Sequence, residues 1–267
     1  MPQISILGCG WLGLPLAKAF LEKGFSVNGS TTSENKLTIL ENSGIKPFLV
    51  AVSSEGIQGN LNGFLSDSEI LIIDIPPKLK GDTNENFVAK IQNLVLEIEK
   101  YSIKKVLFIS STSVYTDTEN IPVITEEDIP NPDTESGRQL FESENLLLNN
   151  PKFNTTVLRF GGLIGEDRHP IKFLSGRENI ENPNGPINLI HQKDCIGIIL
   201  KIIEKDSWNT VFNAVASIHP SRKEYYTQKA ESLGLELPKF NAEKKSVGKI
   251  IDSNKLEVVL DYKFNGI

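Results

Sequence analysis

The chain has 267 residues, with 28 Lys or Arg against 34 Asp or Glu and a formal net charge of −6. That acidic balance argues against a broad footprint for nucleic acid or an anionic membrane, and the length accommodates one nucleotide-sized domain plus a modest second lobe. No apolar stretch approaches the ~18 residues of a membrane span and no basic segment leads into an apolar run at the N-terminus, so the expected location is the cytoplasm. A β-like run, Gln3-Ile4-Ser5-Ile6-Leu7, leads directly into Gly8-Cys9-Gly10-Trp11-Leu12-Gly13 and then an amphipathic stretch ending near Lys23. A G-x-G-x-x-G in that setting is a dinucleotide fingerprint. Gly8 permits the tight turn, Gly10 clears space for a diphosphate, Gly13 lets the helix pack on the sheet, and the free N–H groups of the helix face an anion. Cys9, Trp11 and Leu12 share that turn and are cofactor-binding candidates with the three glycines.

Gly24 reads as a helix C-cap and residues 25–30 as the second strand, completing a β-α-β unit. NAD binders tend to end this strand in an acidic residue for the ribose hydroxyls. Here Gly29-Ser30-Thr31-Thr32-Ser33 follows, with Lys36 nearby, so Ser30, Thr31 and Thr32 favour NADP over NAD. Short β-rich runs at 46–52, 69–75, 106–110 and 155–160 alternate with longer amphipathic stretches, which predicts a parallel sheet with helices on both faces. Asp74-Ile75-Pro76-Pro77 ends the fourth strand and is expected either to wall the pocket beside the adenine or ribose or to make a turn. Residues 84–100 carry Phe87, Ile91, Leu94, Val95 and Ile98 at helical spacing and predict a covering helix. The fifth strand opens abruptly into hydroxyl residues at Ser110-Ser111-Thr112-Ser113-Val114-Tyr115, at the strand end where open α/β sheets place ligands.

Beyond residue 160, Gly, Pro, Asn and Arg become frequent, followed by a short strand at 187–190 and a helix at 193–205. This part is expected to form the substrate lobe, 161–267, beside a nucleotide-binding domain, 1–160, with about 187–205 packing back on the latter. Cys9 and Cys195 suit a reducing compartment without a disulfide, and the spacing of His169, His191 and His219 gives no metal site. His169, between Arg168 and Pro170, is either a solvated loop residue or an acid, base or anion contact. Arg138, Arg168 and Arg177 are surface residues or anion contacts.

The glycine fingerprint, the run from Phe108 to Tyr115 and Leu158-Arg159-Phe160-Gly161-Gly162-Leu163-Ile164-Gly165 together resemble the extended short-chain dehydrogenase/reductase superfamily, in its epimerase/dehydratase branch. Residues 161–170, 173–177 and 249–256 are similar to an atypical subgroup of small NAD(P)-binding proteins. The resemblance implies a Rossmann-type doubly wound parallel sheet with a small C-terminal α+β lobe. It adds Gly161 and Gly162 to the cofactor contacts and gives Ser111 the hydroxyl that orients substrate. The superfamily's Tyr-x-x-x-Lys pair is missing: Ser136 stands at the tyrosine and Leu140 at the lysine. Serine cannot replace a phenolate near neutral pH, and leucine supplies neither charge nor donor. Ser136-Gly137-Arg138-Gln139 reads instead as a capping box with Ser136 at the N-cap, leaving Tyr115 or His169 as substitute acids. Three functions stay open: an epimerase, dehydratase or reductase on a small polar or nucleotide-linked substrate, a redox sensor without turnover, and a nucleotide binder that never holds nicotinamide. The oligomeric state is open, with a homodimer among the arrangements allowed.

Overall fold

Strand and helix alternate as the sequence predicts, in a computed structural model that describes residues 2–77, 86–101 and 103–267. The first part runs β1 (Gln3–Leu7), α1 (Gly13–Glu22), β2 (Ser26–Thr31), α2 (Leu37–Asn42), β3 (Lys46–Ser53), β4 (Gly56–Gly59), α3 (Leu61–Leu65), β5 (Ser68–Ile73), α4 (Phe87–Ile98) and β6 (Lys105–Ser111). Then follow β7 (Val123–Ile124), α5 (Glu135–Leu148), β8 (Asn154–Phe160), β9 (Gly162–Ile164), α6 (Ile171–Leu174), β10 (Leu189–His191), α7 (Gln192–Glu204), β11 (Thr210–Ala214), α8 (Arg222–Ser232), β12 (Ile250–Ile251) and α9 (Asn254–Leu260).

Eight strands form the main sheet in the order β11-β8-β6-β5-β1-β2-β3-β4. Seven are mutually parallel, and β4 folds back antiparallel along β3. The winding reverses between β1 and β5, which creates the switch point where such sheets hold ligands beyond their carboxyl ends. The period of two sorts β5 between two layers. Ile70 and Ile72 join Leu16 and Phe20 of α1, Ile198 of α7 and Leu256 of α9, while Leu71 and Ile73 join Phe64, Ile91, Leu94 and Leu147 of α3, α4 and α5. The sheet is therefore covered on both faces, and its ends are left for the site.

Asn84, where the covering helix is expected to start, lies outside the described residues. α4 is capped by Asn86, whose side chain accepts the Ala89 N–H. Helix α5 departs from the expected capping box. Its N-cap is Thr134, in extended backbone conformation, with Oγ1 accepting the Gly137 N–H at 3.1 Å, and Ser136 lies inside the first turn. Gln139 accepts the Phe87 N–H at 2.6 Å and so ties α5 to the start of α4.

Beyond residue 160 the return to the main sheet is wider than the expected 187–205 segment. β11 is the edge strand beside β8, and α9 packs with α7 in the first layer. A smaller cluster of Ile164, Ile171, Ile187, Leu189, Tyr225, Tyr226 and Ala230 gathers around the parallel pair β9 and β10. Among the described residues, no helix is long and apolar enough to cross a membrane, and no group of three His, Cys, Asp or Glu is arranged to hold a metal ion.

Candidate active site

The three glycines of the β1-to-α1 turn meet three different constraints. Gly8 has φ +105°, and a Cβ there would strike the Asp74 carbonyl oxygen. A Cβ on Gly13 would strike the Gly8 carbonyl oxygen, so this glycine sets how closely α1 sits on the sheet. Gly10 has nothing within 4 Å of its Cβ position; its missing side chain leaves an open cradle. The turn is tied to β2 by the N–H groups of Gly8 and Cys9, which donate to Ser30 Oγ at 3.0 Å and to the Ser30 carbonyl at 2.8 Å. Burial pushes the Cys9 thiol up to about 12, so Cys9 contributes backbone and packing and no thiolate.

Two adjoining cavities follow the carboxyl ends of the strands and share Gly10, Asp74, Ile75 and Pro76. The first, about 530 Å³, is bounded by Gly8, Cys9, Ser30, Thr31, Thr32 and Lys36. The second, about 380 Å³, is bounded by Trp11, Leu12, Pro77, Ser110, Ser111 and Leu140, with Leu163 and Arg168 across from them. Gly161 and Gly162 are not among the lining residues. Their N–H groups donate to the Ala214 and Asn188 carbonyls, and a Cβ on Gly161 would crowd the Asn188 carbonyl oxygen, so they join β8, β9 and β10 closely.

At the end of β6 the two serines have different partners. Ser110 Oγ donates to Glu144 Oε1 at 2.5 Å, and Glu144 in turn accepts from Arg159 Nε and Nη2 in a fully buried pair. Ser111 Oγ accepts the Ser113 N–H at 3.2 Å, which leaves its own proton to donate into the cleft. Leu140, at the position where the resemblance calls for lysine, lines the same cleft with an apolar side chain.

The two substitute acids lie elsewhere. A single turn at Thr112–Val114 carries Tyr115 into the core, where it is 2% exposed and its hydroxyl is held by Arg159, the Thr125 carbonyl and Asn213. Burial raises its pKa further. His169 is a buried core residue, not a solvated one: Nδ1 accepts the Ile171 N–H, and Nε2 meets the Tyr225 hydroxyl at 2.9 Å. Burial, with Lys229 and Lys172 nearby, lowers it to about 4, so it is neutral and pins the small cluster. His191 caps α7 by accepting the Lys193 N–H, and His219 bonds the Ile187 carbonyl.

Three side chains in the groove carry more weight than their sequence context indicated. The Asp74 carboxyl lies beside Gly13 at the amino end of α1, and burial raises it to about 7. An acid directly after the apolar run Ile70–Ile73 at the switch point is the signal that marks it. Lys90 is buried and lines the first cavity; its signal is a cation within the apolar stripe that runs from Phe87 to Leu94. Arg168 stacks on the Trp11 ring at 5.0 Å while Asp167 accepts the indole N–H at 2.9 Å, so the glycine turn is clasped to the loop after β9.

No family model matches the chain. Protein YeeZ of Escherichia coli strain K12 is 35% identical over 269 residues, spanning 99% of this chain and 97% of its own. Among solved structures, a functionally unknown conserved protein from Silicibacter pomeroyi superposes with a TM-score of 0.79 at 19% identity, covering 99% of this chain and 94% of its own. MoeE5 in complex with UDP-glucuronic acid and NAD gives 0.80 at 18% identity, covering 100% and 95%. UDP-glucose 4-epimerase of Thermotoga maritima, with UDP-glucose, gives 0.80 at 17% identity, covering 99% and 94%. The fold is that of short-chain dehydrogenase/reductase proteins of the epimerase/dehydratase type, and by its end-to-end match at this identity the chain belongs to the family of Escherichia coli YeeZ.

Proposed function

We propose that the protein binds NAD or NADP along the groove from Gly10 to Ser111 and acts as an epimerase, dehydratase or reductase on a small polar or nucleotide-linked substrate. The observation that carries this reading is the continuity of the two cavities past an open glycine at the switch point. The solved relatives that hold NAD or a nucleotide sugar on this fold support it. At the adenosine end, Ser30, Thr31, Thr32 and Lys36 line the cavity with no carboxylate at the end of β2 to repel a 2′-phosphate, which favours NADP. When bound, nicotinamide supplies hydride exchange. Ser111 would donate its hydroxyl to a substrate oxygen, Arg168 would face an anionic group, and Leu140 with Leu163 would keep water from the reacting face.

A second reading, a dinucleotide-binding redox sensor without turnover, is favoured by one observation: the cleft presents Leu140 where an ammonium would be needed to lower a phenol's pKa. Titration calorimetry with NAD, NADH, NADP and NADPH tests both, and no binding at millimolar concentration removes both. A cofactor-oxidation screen against aldehydes, ketones and nucleotide sugars then divides them. Ser111→Ala is expected to lower turnover by about 10²-fold or more; unchanged turnover would strike Ser111 from the mechanism.

A further inference from the structure

Resting on the dinucleotide reading of the groove, this inference concerns Asp74. β1 and β5 lie side by side at the switch point, and Asp74 is the first residue beyond β5, its N–H donating to the Leu7 carbonyl at 2.9 Å. Its backbone oxygen abuts Gly8, and its carboxyl reaches the amino end of α1, where Oδ2 lies 3.2 Å from the Cβ position of Gly13. Helix α1 has no acid in its own first turn, so β5 brings this carboxyl to a helix end that would otherwise favour an anion unopposed. Asp74 also lines both cavities, at the place they share.

A diphosphate docked at the N–H groups of that helix end meets Asp74 in one of two forms. The carboxylate repels it and competes for the same donors; the carboxylic acid can donate a hydrogen bond to a phosphate oxygen. We propose that Asp74 is a proton-linked contact of the diphosphate: the dinucleotide binds the form in which this carboxyl holds its proton, and binding to the ionised form draws a proton from solution. The titratable groups that interact with it electrostatically are Cys9 from the glycine turn and Cys195 from α7, and Lys36 after β2, Lys90 from α4 and Arg168 after β9 line the cavities it shares. Both thiols are pushed upward by burial and stay neutral. Burial has already raised the Asp74 carboxyl to about 7, so both of its forms are populated near neutrality. By linkage, affinity is level below that value and falls by up to about tenfold per pH unit above it.

Titration calorimetry with NAD, which lacks a titrating 2′-phosphate, at about pH 6.5 and about pH 8.5 in buffers of unlike ionisation enthalpy, tests this. The expected result is a Kd about tenfold weaker or more at the higher pH, with close to one proton taken up per NAD bound there. Asp74→Asn is expected to bind NAD with a Kd that is flat in pH and without proton uptake. A wild-type Kd that is flat in pH without proton exchange, or a variant that keeps the slope, overturns the inference while the dinucleotide reading stands. Absence of NAD binding at every pH overturns both. The wild-type proton count decides the matter even if the variant fails to fold.

Discussion

Gly8 and Gly10 are two residues apart, and their substitution should separate stability from binding. Alanine at Gly8 would place a side chain at φ +105° and against the Asp74 carbonyl, costing about 3 kcal/mol or more of folding stability in urea titrations. Alanine at Gly10 enters open space on an exposed residue and should change stability by no more than about 0.5 kcal/mol. The same methyl would occupy the cradle, so calorimetry should show dinucleotide affinity weakened about tenfold or more for Gly10→Ala. Equal effects of the two substitutions on stability would contradict the division of labour within the turn. The turn at Gly8 and the close helix packing at Gly13 were legible in the sequence because glycine spacing, strand and helix all lie within one local segment. The orientation of Tyr115 was not, since one turn at Thr112–Val114 decides whether the ring enters the cleft or the core.

Helix α5 and strand β8 are joined by the buried pair Glu144–Arg159, to which the cleft residue Ser110 and the core residue Tyr115 both connect. Breaking one side of such a pair leaves an uncompensated charge, so Glu144→Gln should destabilise by about 3–5 kcal/mol in chemical denaturation, whereas replacing both by methionine should recover a large part of the loss. A double variant as unstable as the single one would show that packing, not charge, holds these elements. The sequence placed β8 through its β-rich run and α5 through its capping residues, but the pairing of the two joins residues 15 apart on different elements and has no local signature. The cap of α5 was misread for a related reason. Thr134 and Ser136 are both competent caps two residues apart, and the extended backbone at Thr134 decides between them.

Across the whole molecule, the buried His169 and the half-buried Asp74 titrate in opposition. His169 sits in the small cluster formed by segments far apart in sequence, which explains why a Gly- and Asn-rich loop suggested solvent; its aromatic partner Tyr225 lies 56 residues away. Asp74 sits at the switch point of the main sheet, and the Trp11 clasp to Asp167 and Arg168 links the two regions. The fold lowers His169 from 6.5 to about 4, so in that window the unfolded chain binds a proton the folded one refuses, and stability falls as pH falls. The fold raises Asp74 from 3.8 to about 7, so over nearly the same window the folded chain binds the extra proton, and stability falls as pH rises. Their slopes cancel in the wild type, and single substitutions should expose them. Relative to wild type, thermal midpoints of His169→Gln should gain as the pH is lowered from about 7 to about 4.5, because only the Asp74 contribution remains. Those of Asp74→Asn should lose over the same interval, because only the His169 contribution remains. Taking each variant as a difference from wild type removes the shared titration of surface carboxylates such as Glu135, Glu178 and Glu181. Difference curves that slope in the same direction for both variants would mean that at least one of these groups is not held in the protonation state its burial dictates.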